Sequence, residues 1–133
     1  MTPSNTDTAR RLYAAFEAAD GPALLELLDP DFEGEVTPGL PEGWGGTYHG
    51  PQEMLGQCWG QVFGKLATRP VPEDYLEAAD GRVVVLGRYL GTARESGRPH
   101  EAAFAHVLSF RDDRIARLVQ ITDSHRWHEA LAE

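Results

Sequence analysis

Apolar residues recur every three or four positions in the first half of the chain and at alternate positions in the second half. The apolar spacing over residues 6–20 predicts an amphipathic helix that begins at Thr6. Gly21 and Pro22 interrupt this pattern. Because proline fits the first position of a helix, a second short helix is predicted over residues 22–28. The chain is therefore expected to start with two helices.

A loop rich in glycine and proline comes before the third helix. Residues 31–37 alternate as a short strand, and residues 37–50 then form a connection that is long for a compact domain. Trp44 and Tyr48 lie in this loop, where they either cover a pocket or pin the loop to the surface. Residues 51–64 carry apolar pairs every four positions, which predicts a helix with one buried face.

The second half of the chain has the period of two that is typical of strands. Pro70 and Pro72 fall in the first of these strands, so we expect it to be an edge strand or to contain a bulge. Asp112 and Asp113 form a two-residue turn between the last two strands. The predicted strands cover residues 66–78, 82–93, 100–111 and 114–122, and a short helix or turn follows over 124–131.

This order of elements predicts an α+β fold. We expect a single domain over residues 1–133, with a curved, mixed but mostly antiparallel sheet wrapped around the N-terminal helices. The two layers would enclose a conical pocket, as in a cystatin-like α+β barrel. The open face of the sheet is expected to form a homodimer, because the small alanines of the strand over residues 100–111 allow close packing of two sheets.

Composition and charge narrow the possible partners. The chain has 133 residues, of which 41% are hydrophobic, and a formal net charge of −9. That charge disfavours nucleic acid and anionic membranes, so the expected partner is a small hydrophobic ligand. The sequence shows no apolar leader, and its one cysteine, Cys58, is expected to be a buried apolar residue. A cytoplasmic protein without a cofactor is therefore predicted.

A single acid, Asp123, stands where the last predicted strand ends and the tail begins. In one interpretation its side chain caps the tail helix or pairs with Arg126. In the other it is an acid–base group at the floor of a pocket, where a carboxylate can move a proton next to a carbonyl group.

Several separate segments together resemble the SnoaL-like polyketide cyclases, which belong to the nuclear-transport-factor-2-like superfamily. The segments are LLELLDPDFEGEV, YHGPQEML, LGRYLGTARESGRP and AHVLSFRDDRIARLVQITDSHRWHEAL. Relatives in this superfamily include ketosteroid isomerase, scytalone dehydratase and limonene epoxide hydrolase. The resemblance covers nearly the whole chain. It implies the fold more strongly than the function, because the fold hosts several chemistries and binding proteins.

The resemblance also implies roles for individual residues. Asp123 matches the position of a pocket acid–base group, and His106 matches a position that faces the cavity. Arg88 resembles an arginine of the epoxide hydrolases, but Leu90 stands where those enzymes carry a second carboxylate. His106 could instead be a hydrogen-bonded core residue, and Arg88 could form a structural ion pair with Asp123 or with Glu101.

Strand alternation gives a first test of these roles. Alternation places His106 on the same face as Phe104 and Leu108, and it places Asp123 on the same face as Ile121. Polar groups on such apolar faces need a protein partner or a ligand. The expected substrate-binding residues are Tyr13, Phe16, Trp44, Tyr48, Trp59, Phe63, Phe104, Leu108 and Ile121.

Two functions follow from this sequence. The first is a cofactor-independent isomerase, cyclase or lyase that uses Asp123, assisted by His106 and Arg88, on a hydrophobic carbonyl compound. The second is a binding or dimerisation module without catalysis. His125 and His128 are spaced for a shared metal ion, but no convincing third ligand accompanies them, so no metal site is predicted.

Overall fold

The computed structural model describes residues 4–132, and its elements follow the predicted order. A 3₁₀ turn at Pro41–Gly43 and a short strand occupy the loop that the sequence left without structure. The helices are α1 (Asn5–Glu17), α2 (Gly21–Leu27), α3 (Pro51–Glu53), α4 (Gly60–Lys65) and α5 (Ser124–Leu131), and a π-helical segment (Met54–Trp59) joins α3 to α4. The strands are β1 (Leu28–Val36), β2 (Gly46–His49), β3 (Leu66–Glu77), β4 (Val83–Ala93), β5 (Pro99–Arg111) and β6 (Arg114–Thr122).

One mixed sheet contains all six strands, in the order β2-β1-β6-β5-β4-β3. β1 pairs with β6 in parallel, and the other neighbouring strands are antiparallel. The predicted α+β fold with a mixed, mostly antiparallel sheet is confirmed. The sheet does not close, because β2 and β3 form its two edges, so the architecture is an open cone.

Helix α1 covers the inner face of the sheet. Ser4 caps it through a reciprocal pair of hydrogen bonds with Asp7, which satisfies amides that the first helical turn leaves free. Its buried face includes Leu12, Tyr13 and Phe16. Burial of these large apolar side chains against the sheet fixes the position of the helix.

Strand β3 lies at the edge of the sheet and contains both prolines, as the sequence predicts. Pro70 and Pro72 are placed where the missing amide protons are tolerated, and the register with β4 shifts between Pro72 and Asp74. At the other end of the sheet, Asp112 and Asp113 both have positive φ angles, 50° and 65°. This is the geometry of the tight hairpin turn expected there.

A bulge in β6 changes which residues face inward. Ser109 pairs with Arg117 while the next residue of β5, Phe110, pairs with Ile115, so β6 contains one extra residue. Beyond that point Gln120 lies opposite His106 on the inner face. Simple alternation had placed Asp123 and Ile121 on the inner face. That assignment is wrong, because the extra residue reverses the alternation.

The third predicted helix is not a regular α-helix. Its middle section is π-helical, with the Gly60 amide bonded to the Leu55 carbonyl five residues earlier. This α3–π–α4 wall packs Met54 and Cys58 against the core, as the apolar stripe predicts. Within residues 4–132, no helix combines the length and the apolar character needed to cross a membrane.

Candidate functional site

A small cavity lies between the inner face of the sheet, α1, the α3–π–α4 wall and α5. Its volume is about 30 Å³, which is room for roughly two water molecules. The lining is mostly apolar and aromatic. It consists of Phe16, Val36, Leu40, Met54, Cys58, Trp59, Val62, Phe63, Pro70, Tyr89, His106, Leu118, Gln120 and Trp127.

His106 is the centre of the polar part of the cavity. The Tyr13 hydroxyl is 2.7 Å from its Nδ1 atom, and the Tyr89 hydroxyl is 2.9 Å from its Nε2 atom. The imidazole ring also stacks on Phe104, with 4.0 Å between ring centroids. His106 is 3% exposed, so both ring nitrogens have protein partners in a buried position.

Gln120 extends this network from the neighbouring strand. Its Nε2 atom donates to the Tyr89 hydroxyl at 3.1 Å, and its Oε1 atom accepts from the Thr37 amide at 3.2 Å. The Thr37 hydroxyl donates to the backbone carbonyl of the same glutamine at 2.8 Å. These bonds hold the side chain of Gln120 in one orientation.

Burial keeps these groups uncharged near neutral pH. It lowers the pKa of His106 to about 3 and raises the pKa of Tyr13 well above its usual value. Burial also raises the pKa of Tyr89, and it raises the pKa of Cys58 to about 12. Among the described residues that line the cavity, none is an aspartate, glutamate, lysine or arginine. The site is therefore an apolar cavity with neutral hydrogen-bonding groups.

The family model for the SnoaL-like domain matches residues 9–118. The chain belongs to the SnoaL-like family. No protein with a curated description matches it.

Solved structures agree with this assignment. A nuclear-transport-factor-2-like protein of unknown function from Burkholderia pseudomallei is 30% identical, with a TM-score of 0.88 over 99% of this chain and 100% of that one. TerC, co-crystallised with polyporic acid, is 27% identical, with a TM-score of 0.86 over 97% and 98%. A loop-truncation variant of IdmH is 26% identical, with a TM-score of 0.81 over 97% and 100%.

The catalytic residues expected from the sequence do not meet in this SnoaL-like structure. Only His106 lines the cavity. Asp123 is exposed at the start of α5, where its side chain makes no capping bond, and Arg126 contacts Glu129. Arg88 lies on the outer face and forms ion pairs with Glu73 and Glu101, at 3.2 Å and 2.6 Å, which corresponds to the structural alternative.

The expected substrate-binding residues separate into four groups, of which the loop residues Trp44 and Tyr48 are described below. Phe16, Trp59 and Phe63 line the cavity. Tyr13, Phe104 and Leu108 are buried beside it, on the sheet and on α1. Ile121 is 57% exposed on the outer face and does not line the cavity, because the β6 bulge turns it outward.

Trp44 and Tyr48 are buried and act as anchors of the long loop. The Tyr48 hydroxyl donates to the Trp44 carbonyl at 2.7 Å, and the Trp44 ring packs edge-on against Trp127. Neither residue lines the cavity. Of the two interpretations that the sequence left open, pinning of the loop is the one that the contacts support.

Most of the lining residues were not among the expected site residues, and three of these bear on the chemistry of the cavity. Tyr89 follows Arg88 in β4, so alternation places the two side chains on opposite faces of the sheet, and a site built around Arg88 would not include Tyr89. Gln120 was missed because the bulge that turns it inward leaves no clear sequence signal. Trp127 belongs to the tail, and the apolar face of α5 could have indicated its burial.

The remaining titratable residues do not form a metal centre. Within residues 4–132, no cluster of three histidine, cysteine, aspartate or glutamate side chains could hold an ion. His125 pairs with Glu129 at 3.5 Å, and His128 bonds to the Gly39 carbonyl at 2.6 Å. These two histidines therefore have separate partners.

Proposed function

We propose that this chain binds a small hydrophobic molecule with a carbonyl or similar acceptor oxygen, in the cavity between the sheet and the helices. The proposal rests on one observation, the uneven polarity of the cavity lining. Its walls are apolar and aromatic, but Tyr89, His106 and Gln120 converge on one side. Few polar groups on an otherwise apolar lining are typical of small-molecule sites.

The neutrality of the site favours an uncharged ligand. A charged molecule would lose its hydration without meeting an opposite charge, because the described lining residues are all uncharged. A carbonyl group loses much less hydration and can accept a hydrogen bond inside the cavity. The co-crystal of TerC with polyporic acid supports small-molecule binding by a similar fold.

Binding requires the cavity to expand. A volume of about 30 Å³ is an order of magnitude below that of a typical ligand site, which is at least about 300 Å³. The α3–π–α4 wall carries Gly56, Gly60 and Gly64, and glycine weakens helices. We propose that this wall moves away from the sheet to admit the ligand.

The experiment compares two probes of similar size, cyclohexanone and cyclohexane, by NMR shift perturbation. We expect cyclohexanone to bind more tightly and to perturb residues that line the cavity. In Tyr89→Phe, the affinity for the ketone should fall roughly five-fold, the value of one net hydrogen bond, while the affinity for the hydrocarbon stays unchanged. A ketone preference that survives in this variant would contradict the proposal.

Catalysis is the second candidate function. A cofactor-independent isomerase, cyclase or lyase must stabilise the oxygen of an enolate, and neutral donors in a dry site do this well. Tyr89 and Gln120 favour this candidate because both are polar residues of the cavity lining. The proposed base, Asp123, would then have to enter the cavity by a movement of α5, whose Trp127 forms part of the cavity lining.

We also propose that the chain forms a homodimer through the outer face of the sheet. Leu86 pairs with Ala105, and Ala105 pairs with Ile121, so these three side chains form an apolar row across the face. Leu86 and Ile121 are 38% and 57% exposed, and Leu76 is 51% exposed. Exposed apolar patches of this kind mark interaction surfaces. A cytoplasmic location stays a prediction.

A further inference from the structure

We propose that the buried hydrogen bonds run in one direction, from Tyr13 to His106 to Tyr89, and leave the Tyr89 hydroxyl proton for the cavity. Tyr13 would then be a positioning residue that controls ligand recognition without touching the ligand. The direction of the bonds is independent of the proposed function, and only its use in recognition rests on that function.

The first step concerns the amide of Gln120. Its Oε1 atom accepts from the Thr37 amide, which is a backbone donor with a fixed role. The opposite atom of the side chain is therefore the NH₂ group, and it donates to the Tyr89 hydroxyl oxygen at 3.1 Å. One lone pair of that oxygen is thus occupied.

The second step concerns His106. A buried imidazole with a pKa of about 3 is neutral at pH 7 and carries one N–H group. If the proton is on Nε2, that group donates to Tyr89, and Nδ1 accepts from the Tyr13 hydroxyl. If the proton is on Nδ1, both bonds reverse.

The third step asks which tyrosine hydroxyl proton lacks a protein acceptor in each of the two tautomers. With the proton on Nδ1, the Tyr13 hydroxyl proton is left over, and the described structure gives that hydroxyl no acceptor other than His106. Tyr13 is 4% exposed, so its proton would lack a bond in a buried position. With the proton on Nε2, the left-over proton belongs to Tyr89, which lines the cavity. Water or a ligand can accept it there, so the Nε2–H form is favoured.

This arrangement defines the ligand group that the cavity selects. The Tyr89 oxygen accepts from both His106 and Gln120, so its remaining capacity is as a donor. A ketone oxygen satisfies that donor completely. The corresponding alcohol also accepts, but its own proton would have to share the Oε1 atom of Gln120 with the Thr37 amide. We therefore expect ketones to bind more tightly than alcohols of the same size.

The decisive experiment is ¹⁵N NMR of the imidazole nitrogens at pH 7, with ¹⁵N-labelled histidine in the full chain. The His106 signals are assigned by their loss in His106→Gln. We expect a protonated Nε2 and an unprotonated Nδ1. The opposite pattern would overturn the inference, and it would leave the proposed function intact if cyclohexanone still binds.

A pair of variants tests the role of Tyr13. In Tyr13→Phe, Nδ1 loses its donor, so the Nε2–H form should lose its dominance and the preference for cyclohexanone over cyclohexane should fall roughly five-fold. The matched control is Tyr75→Phe, because Tyr75 packs edge-on against Tyr13, with 6.1 Å between ring centroids. The control should keep both the imidazole spectrum and the ketone preference. Equal effects in the two variants would overturn the positioning role.

Discussion

A buried histidine is the residue on which the site depends most directly. His106 is buried and has a hydrogen-bond partner at each ring nitrogen, so protonation would turn Nδ1 into a donor and leave the Tyr13 hydroxyl proton without its acceptor. A pocket built on such a residue is stable only while the imidazole is neutral. The stability of the protein should therefore depend on pH.

The free energy of unfolding is expected to decrease as the pH falls below about 6.5. The pKa of His106 is lowered to about 3 in the folded state, so the unfolded chain binds one more proton between these values. His106→Gln should reduce the slope of the free energy of unfolding against pH, near pH 5, by about 1.4 kcal/mol per pH unit. Urea unfolding between pH 5 and pH 7 measures this slope.

The control for that prediction is His49→Gln, because the His49 side chain is 72% exposed. Its slope should match that of the wild type. A wild-type slope that is unaffected by His106→Gln would show that the imidazole accepts a proton without leaving its site.

Asp123 provides the second prediction for a single residue. Its carboxylate is exposed and makes no capping bond, so Asp123→Asn should change the free energy of unfolding by no more than about 0.5 kcal/mol. The affinity for cyclohexanone should also stay the same. Thermal unfolding and NMR titration measure both effects. A loss of 1 kcal/mol or more would reveal a structural role, and a loss of ketone binding would place the carboxylate near the ligand.

At the scale of elements, the α3–π–α4 wall combines two properties. It forms one side of the cavity, and its exposed surface carries glycines at four-residue spacing. A Cβ atom at Gly56 or Gly64 would meet no other atom within 4 Å, so packing does not require glycine there. Glycine at these positions lowers the stability of the helix, which makes the wall the most suitable element to open.

Gly64→Ala should therefore stabilise the protein by about 0.5–1 kcal/mol and slow the entry of cyclohexanone. Chemical denaturation gives the first quantity, and NMR exchange rates give the second. Gly60→Ala is the matched control, because its Cβ would lie 2.8 Å from the Leu55 carbonyl oxygen in the π-helical segment. That change should destabilise the fold. Unchanged entry in a stabilised Gly64→Ala protein would mean that another element opens.

Much of the fold could be predicted from the sequence because the hydrophobic period changes cleanly from helices to strands. Alternation in β5 placed His106 on the inner face correctly. Alternation failed in β6, because the bulge depends on how Ser109 and Phe110 pair with a neighbouring strand. The candidate site was only partly predicted for this reason. Single-strand patterns identify the inward histidine, but its hydrogen-bond partners Tyr13 and Tyr89 depend on how separate elements are brought together.

For the whole molecule, the proposed homodimer uses the outer face of the sheet. We expect the wild type to sediment as a dimer and Ile121→Glu to sediment as a monomer, because a charge at this 57% exposed position would be buried in the interface. Gln57→Glu adds the same charge on the exposed surface of the helical wall and should remain dimeric. Sedimentation equilibrium distinguishes these states. A monomeric wild type would exclude the proposed interface.

The bulge in β6 has a consequence for how this kind of cavity can diversify. The strand contains two overlapping alternations one residue apart, one with Gln120 inward and the other with Asp123 inward. In the first of these registers, Arg117 forms ion pairs with Glu33 and Glu35. If the register slipped by one residue, the cavity would lose its amide and gain a carboxylate, with no substitution in the cavity lining. The structure of an Arg117→Val variant would show whether that small displacement is enough to turn a neutral cavity into an acidic one.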